Sequence, residues 1–484
     1  MSNILLIGIK GSGMSNLALI LKKKGNFVFG IDKSDYYQSQ DKLIQSNIEI
    51  FNKFSLSNIS YKIDEIIYST AYENHELVIF AKKNYKTLSY VEYLSQLTDN
   101  VASYAVAGTH GKTTTTAATA FALTYKERVK FPVFSIFGSS LIGKASCIYQ
   151  GEEAFLLEAC EYQNHFLTYK LQGALITSID YDHPDFFKSL TQVKECFYKF
   201  ATNLKNNGFL ILNVDDQNVK SLKYQISNAR KDLNIITYGF NDNSLFRIEK
   251  DAYSNKYKVK ILRDEYFQFK YQDRTLINDI VGAAILSTCI LLDRKDVQLY
   301  LNNDDIICDE VFTTLFRISL KALENFNNVK GRIELKAVSD NVIYIDDYAH
   351  HPKEIYTLVN ELRTRYPNNK LFAIFSPHTA SRTKALYKEF ISVLLLFDKL
   401  IITKTFASAR MDEDKNNLAK NLVRDLNKKL LTSFKVKLNA ALYVKDIKDV
   451  ASIASSMVEE GDVVISLGAS NNDNLYKEII KEKR

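Results

Sequence analysis

The sequence predicts an α/β protein of three domains with mostly parallel sheets. Short β-branched runs alternate with amphipathic segments, the pattern of βαβ units, and the alternation restarts more than once along the 484 residues. Length agrees, because domains of about 150 residues divide the chain into roughly three. A content of 46% hydrophobic and 25% charged residues excludes a mainly disordered or fibrous chain.

In the first series Ile4–Ile9 reads as a strand, Met14–Lys24 as a helix and Phe27–Ile31 as a second strand. The second opens with a strand at Tyr104–Ala107 and a helix from Lys112, followed by strands at Ala154–Ala159, Ala174–Ile179 and Phe209–Asn213. Tyr238–Thr275 alternates polar and aromatic residues and reads as a small β excursion of the middle domain. Strands at Val342–Asp346, Leu371–Phe375, Lys399–Thr403 and Asp462–Leu467 form the third series. Boundaries near Asn100 and Lys330 give domains 1–100, 101–330 and 331–484. The longest apolar stretch, Ile280–Leu292, is broken by Gly282, Ser287 and Thr288 and falls short of a bilayer span, so it is expected to be a buried helix. Ile4–Ile7 is too short and too soon followed by glycine for a secretory core. A cytoplasmic protein without membrane insertion is expected.

Lys+Arg 63 against Asp+Glu 56 gives a net charge of +7, which suits an anionic substrate. Nucleic acid is not indicated, because Lys22-Lys23-Lys24 is the densest basic cluster and no basic stripe follows. The five cysteines include no CxxC pair, so neither a disulfide framework nor a zinc site is expected.

Four motifs carry chemistry. Gly8, Gly11 and Gly13 join a strand to a helix, where backbone N–H groups and the helix N-terminus favour a pyrophosphate. Asp32 ends the next strand, where a carboxylate could meet a ribose or base. The spacing Gly-x-x-Gly-x-Gly departs from the dinucleotide order, so NAD is not supported. Next, Gly108-Thr109-His110-Gly111-Lys112-Thr113-Thr114-Thr115 follows the strand Tyr104–Ala107. Its main chain can wrap phosphates, Lys112 can neutralise the β/γ-phosphates, and the Thr113 or Thr114 hydroxyl can complete a Mg²⁺ shell. The loop is shortened, since Val106 stands where the standard motif has its first glycine.

Glu158 and Glu161 follow the next strand, and Asp180, Asp182 and His183 the one after. Parallel strands bring their carboxyl ends to one sheet edge, so these side chains are candidates to hold Mg²⁺ beside a nucleotide. In the last third Asp346-Asp347-Tyr348-Ala349-His350-His351-Pro352, Ser376-Pro377-His378 with Arg382, and Gly468-Ala469-Ser470 each follow an apolar strand. Polar clusters at successive strand ends suggest a binding edge facing a cleft, with helix capping as the alternative role for single residues.

Taken in order, the Gly8–Gly13 turn, GTHGKTTT, EACEYQNHFL (Glu158–Leu167), SIDYDHPDFF (Ser178–Phe187), DDYAHHPKEI (Asp346–Ile355) and SPHTASRTKAL (Ser376–Leu386) resemble the Mur ligase family over nearly the whole chain. EACEYQNHFL and the double histidine favour its alanine-adding branch, with the murein-peptide-recycling branch as the competitor. The resemblance implies an N-terminal Rossmann-like domain for a uridine diphosphate sugar, a central P-loop domain for ATP, and a C-terminal Rossmann-like α/β domain for the amino acid. It implies ATP-driven amide formation: the lactyl carboxylate of UDP-N-acetylmuramate is phosphorylated, then attacked by the amine of L-alanine, for peptidoglycan precursors.

Carried over by position, Gly108, Thr109, His110, Gly111, Lys112, Thr113 and Thr114 would contact ATP, with Asn278 at the adenine and Asp347 from the third domain. Thr113 would contact metal, Glu158 would hold a first Mg²⁺ and His183 a second, Glu158 being preferred to Glu161. Lys112, Glu158 and His183 would be catalytic. Gly8, Gly11, Gly13 and Asp32 would serve the UDP-sugar, and His350, His351, His378 and Arg382 would face substrate. Ile277 and Val281 replace the family's adenine-side His and Asn, and Ser470 replaces a glycine. Lys199 is the nearest candidate for the modified lysine that other branches carry and this branch generally lacks. A monomer or weak homodimer is expected. A nucleotide switch that makes no bond is the reading from another class, and it leaves the His350–His351 cluster unexplained.

Overall fold

Among the described residues the strands form three sheets, of five, ten and six strands. The structure, a computed structural model, describes the chain apart from residues 38, 126–129, 142–146, 252–255, 262–264, 270–272, 293–309, 406–416, 433–437, 439, 469–473 and 484. Its contacts divide it into two units, Met1–Asp182 with Phe186–Val329 and Lys330–Arg484 with His183–Asp185.

The first unit holds two sheets. β1 (Asn3–Ile7), β2 (Phe27–Ile31), β3 (Glu49–Phe51), β4 (Glu65–Tyr68) and β5 (Thr87–Ser89) pair all-parallel in the order β3-β2-β1-β4-β5. The order reverses at β1, so a crevice opens beyond its carboxyl end, where the Gly8–Gly13 turn emerges. β1 stops at Ile7, short of the expected Ile9, because Gly8 turns the chain with φ 82°. Helix Ser12–Lys23 is buried from Met14 to Leu21, polar Ser15 and Asn16 included. A helix buried on every side must be packed on every side. Met14 and Leu17 share one core with Ile4 and Leu6 of their own sheet and with Phe134 and Ile136 of the next.

The second sheet comprises β6 (Ala102–Ala107), β7 (Val133–Ile136), β8 (Cys147–Tyr149), β9 (Ala154–Ala159), β10 (Gly173–Ile176), β11 (Phe209–Asn213), β12 (Asn234–Gly239), β13 (Phe246–Lys250), β14 (Tyr257–Ile261) and β15 (Glu265–Gln268). Their order is β15-β14-β13-β12-β11-β10-β6-β9-β7-β8. β6 is flanked in parallel by β9 and β10. The excursion after Tyr238 is the meander β13–β15, which extends the sheet because β13 pairs in parallel with β12. β10 ends at Ile176, short of the expected Ile179: Thr177 N–H makes the last bond to β6, at Ala107 O (3.0 Å), and from Ser178 on the segment bonds the loop after β6.

Helix Lys112–Thr124 carries four consecutive threonines, a poor helical composition because β-branched side chains lose rotamer freedom. Three of the four hydroxyls find partners: Thr113 donates to Glu158 Oε2 (2.9 Å), Thr115 to Asp279 Oδ1 (3.1 Å) and Thr116 to Lys112 O (2.8 Å). Helix Arg274–Leu291 is long and apolar enough by length and composition to cross a membrane, yet 72% of it is buried inside the fold. Its Ile277, Val281 and Ile285 share a core with Ala117 and Phe121 of the threonine-rich helix and with Phe312 and Phe316.

The second unit contains β16 (Glu334–Ser339), β17 (Val342–Asp347), β18 (Leu371–Ser376), β19 (Lys399–Thr403), β20 (Ala441–Val444) and β21 (Val463–Gly468), in the order β16-β17-β21-β18-β19-β20. Among the described residues only the β16–β17 pair is antiparallel in this sheet, and β17, β21 and β18 end together at one edge. Pro352 opens helix Pro352–Arg365, as its fixed φ and missing N–H favour.

Helix Arg274–Leu291 is started by Asp273, whose carboxylate accepts from the N–H of Thr275 (2.8 Å) and Leu276 (3.0 Å). Asp273→Ala is expected to cost about 1 kcal/mol by loss of that cap, measured as a lowered urea midpoint with unchanged slope.

Candidate active site

The glycine turn is built around a buried carboxylate. Gly8 donates to Ile31 O (2.8 Å), and a Cβ at Gly8 would come within 2.8 Å of the Tyr72 ring. Asp32 is 4% exposed; its Oδ2 accepts from Lys10 N–H (2.7 Å) and its Oδ1 from Lys33 N–H (2.8 Å) and the Tyr72 hydroxyl (3.0 Å). Asp32 thus braces the turn through Lys10, with Lys33 and Tyr72 holding its other oxygen, at the strand end where the sequence suggested a ribose or base contact. Burial first, then the charge of Asp32, pushes the Tyr72 phenol well above its ordinary range. Gly11 and Ser12 are exposed, and Gly13 sits beneath the Tyr90 hydroxyl.

The phosphate loop leaves β6 and is stitched to the segment after β10. Gly108 has φ 139°, and a Cβ there would lie 2.1 Å from Thr177 Oγ1, so only glycine fits. Thr109 N–H donates to Ser178 O (2.9 Å), His110 N–H to Ser178 Oγ (2.9 Å), and the Thr177 hydroxyl to His110 O. Asp180 N–H donates to Thr109 Oγ1 (2.8 Å), and Asp180 Oδ2 lies 3.9 Å from His110 Nε2. Thr114 is buried in the first turn of the following helix.

Lys112 Nζ lies back over its own loop, donating to Gly108 O, Thr109 O (3.1 Å) and Glu161 Oε2 (3.2 Å). Burial disfavours the ammonium, but Glu161, then Cys160 and Glu158, more than offset it and hold the Lys112 pKa above the lysine value. The two glutamates therefore divide the work. Glu161, 1% exposed, balances the lysine. Glu158 Oε2 accepts from the Thr113 hydroxyl (2.9 Å) and from Gly138 N–H (2.6 Å). Paired hydroxyl and carboxylate oxygens at a phosphate loop are the hard donor set that Mg²⁺ takes.

Asn278 projects from helix Arg274–Leu291 and donates to Asp215 Oδ2 (3.3 Å). The same carboxylate accepts from Phe240 N–H (2.9 Å) and Asn241 N–H (2.9 Å), while Arg274 lies 4.2 Å from the Phe240 ring centroid. Asn278 Oδ1 is buried with no partner among the described residues, an open acceptor suited to an amino group such as that of adenine. Ile277 and Val281, which replace the family's polar residues, are 0% exposed in the core. His183 lies after β10 with φ 52°, and Asp182 beside it is buried. Lys199 is exposed on helix Leu190–Thr202.

In the second unit the expected polar edge is assembled after β17 and β18. Asp347, 4% exposed, accepts from Ile333 N–H (2.8 Å) and Ala349 N–H (2.8 Å). His350 Nδ1 lies 2.9 Å from Tyr348 O, and its ring packs edge-on to His378 at 5.4 Å. His378 Nδ1 lies 2.8 Å from Arg382 Nη1, and Arg382 is buried. His351 accepts from Lys353 N–H (3.3 Å) and closes a capping box with Glu354, so it performs the helix-cap role that was the alternative for such residues. Gly468 lies at this edge, whereas Ala469 and Ser470 fall outside the described residues.

Sequence inspection missed Thr177, Gly138, Asp215, Asp279, Arg332 and Glu354. Arg332 Nη1 lies 3.6 Å from Glu354 Oε1, and Glu354 Oε2 also accepts from His350 N–H (3.1 Å). Only Glu354 had a usable signal, its capping-box spacing from His351.

Burial raises the Asp347 pKa from 3.8 to about 6, against Arg332 and the two amides that favour the charge. The folded state thus binds a proton that the unfolded state has released, so stability falls as pH rises from 3.8 through about 6. The loss is on the order of 3 kcal/mol at most. Asp347→Asn should remove this slope: from pH 4.5 to 7.5 the melting temperature of the parent should decline relative to the variant. Parallel curves would exclude the effect.

Known proteins follow the same layout. The Mur ligase family, catalytic domain, matches residues 3–101, the Mur ligase middle domain residues 106–278, and the Mur ligase, glutamate ligase domain, residues 331–470. The UDP-N-acetylmuramate–L-alanine ligase of Borreliella afzelii is 34% identical over 494 residues, covering 98% of each chain. The protein of the same name from Desulfitobacterium hafniense is 30% identical over 479 residues, again covering 98% of each. Among solved structures, UDP-N-acetylmuramate-alanine ligase of Thermotoga maritima aligns with TM-score 0.74 at 21% identity, covering 99% of each chain. A murein peptide ligase of Psychrobacter arcticus aligns with TM-score 0.70 at 16% identity, covering 100% of this chain and 99% of that one. Those two bear on the fold, which they share from end to end. With three family domains in order and curated relatives matched along nearly their whole length, the chain belongs to the Mur ligase family.

Proposed function

We propose that this protein joins L-alanine to the lactyl carboxylate of UDP-N-acetylmuramate at the expense of ATP, in cytoplasmic peptidoglycan precursor synthesis. The observation that carries this is the Lys112, Thr113 and Glu158 constellation, in a chain whose relatives of that name match it over 98% of its length. The three sheets suit a division into 1–100 for the nucleotide sugar, 101–330 for ATP and 331–484 for the amino acid. Recycling of murein peptides is the second reading, favoured only by a shared fold at 16% identity.

The chemistry follows from charge. A substrate carboxylate and the γ-phosphate repel each other, and a site must cancel that repulsion where the new P–O bond forms. Lys112 would turn from its loop carbonyls to the β/γ-phosphates. The backbone from Gly108 to Lys112 would wrap the phosphates, and Asn278 Oδ1 would accept from the adenine amino group. Thr113 and Glu158 would hold a first Mg²⁺ and His183 a second, which supply further neutralisation of the phosphate charge when bound. The carboxylate attacks phosphorus and ADP leaves; the L-alanine amine then attacks the acyl phosphate, and phosphate leaves with loss of a proton from nitrogen. His350, His351, His378 and Arg382 would face substrate from the C-terminal domain, and Asp32 would serve the UDP-sugar through the glycine turn that it braces.

Lys112→Ala should abolish phosphate release that depends on UDP-N-acetylmuramate and L-alanine; it also strips the buried Glu161 of its counter-charge, so the melting temperature should fall, and release is assayed below the variant's own unfolding transition. Equal release with and without L-alanine would sink the ligase reading. A tripeptide accepted in preference to L-alanine would move the assignment to the recycling branch. His183→Ala should raise the Mg²⁺ concentration needed for half-maximal rate about 10-fold or more; an unchanged Mg²⁺ dependence removes it from the ligand set.

A further inference from the structure

One peptide group joins the glycine turn to the metal-side carboxylate. Asn16 lies on helix Ser12–Lys23, which starts at the Gly8–Gly13 turn, and is 1% exposed. Its Nδ2 donates to Phe137 O (2.8 Å). The N–H of that same peptide, on Gly138, donates to Glu158 Oε2 (2.6 Å), which also accepts from Thr113 of the phosphate loop (2.9 Å). A trans peptide is rigid, so its carbonyl cannot follow Asn16 without turning its N–H relative to Glu158. Hydrogen bonds at both ends of one amide also polarise each other. Ser12, inside the turn, adds a second tie by donating to Gly138 O (2.9 Å).

The space around Gly138 has the same sense. A Cβ there would stand 3.1 Å from Glu158 Oε2 and 3.2 Å from Thr113 Oγ1, so the backbone approaches the pair as closely as it does because residue 138 has no side chain. Nothing in the motif pattern marked Asn16, Phe137 or Gly138, which lie outside every phosphate-binding signature.

We propose that Asn16 is a positioning residue that acts through the Phe137–Gly138 peptide on Glu158, coupling occupation of the glycine turn to metal–nucleotide binding at the phosphate loop. This rests on the ligase reading above, with the sugar diphosphate at the turn and Mg²⁺ at Glu158. A ligand that shifts helix Ser12–Lys23 then changes the direction of the Glu158 carboxylate, and by linkage the reverse holds with equal strength.

Isothermal titration with full-length protein tests it without turnover. The dissociation constant of the Mg²⁺ complex of a non-hydrolysable ATP analogue is measured with and without saturating UDP-N-acetylmuramate, and the reverse titration is run as the check. The parent should show a coupling of about 5-fold or more, the lower range of allosteric coupling. Asn16→Ala should bring the ratio close to 1 while each ligand alone binds within about twofold of the parent, as expected for loss of coupling and not of either site. A merely structural role would weaken the single-ligand constants and leave the ratio. Ser12→Ala, at an exposed position, should reduce the ratio partially and guards against a misfolded Asn16 variant. Full coupling in both variants, or a parent ratio of 1 with both ligands bound, overturns the proposal and leaves the ligase reading standing. A parent that binds no UDP-N-acetylmuramate overturns both.

Discussion

Strand β6 is hydrogen-bonded in parallel to β9 on one side and β10 on the other, and the chemistry-bearing residues of the first unit take their places from that pairing. Its register sets Val106 opposite Glu158, and Ala107 opposite both Ala159 and Ile176. The phosphate loop, the glutamate pair and the Thr177–Asp180 segment therefore leave the sheet at one level. Side chains alternate between faces along a strand, so a slip of one residue in β9 would turn Glu158 away from Thr113. The apolar burial of Ala105, Val106, Phe155, Leu156 and Leu157, all 0% exposed, makes such a slip costly.

With that frame in place, charge is distributed sparingly. Lys112 and Glu161 are both largely withdrawn from water and are tolerable because each balances the other. Glu158 adds only a longer-range attraction to that pair and takes neutral hydrogen-bond donors, the Thr113 hydroxyl and an amide. A carboxylate matched to neutral donors keeps its charge available for a cation, whereas one already matched to an ammonium does not. The C-terminal edge follows a different scheme, with Asp347 buried at the cost of a raised pKa and its histidines tied to backbone, Arg382 and Glu354.

Several residues whose types suggest ligand binding also serve geometry. Asp32 spends both oxygens on Lys10, Lys33 and Tyr72, and His351 caps a helix. Carboxylates and imidazoles satisfy orphan backbone donors as readily as they bind ligands, and composition does not separate the two uses. The division of labour between Glu158 and Glu161 was assigned by family position alone, since a three-residue spacing after a strand is silent about which side chain meets the lysine.

Local order was written in the sequence. Short apolar runs placed Phe27–Ile31, Ala154–Ala159, Phe209–Asn213 and Lys399–Thr403 to the residue, and the glycines and Lys112 marked the phosphate loop, because strand propensity and turn chemistry are short-range properties. Strand ends were less legible: β1 and β10 stop early where Gly8 turns and where Ser178, past the last ladder bond at Thr177, pairs with the phosphate loop. Tertiary structure alone decided that Asp32 faces inward, that Asn278 is held by Asp215, and that Asn16 reaches Glu158 through one peptide. Each of those contacts joins residues from 22 to more than a hundred positions apart in the chain, across strand pairings that only the folded sheets specify.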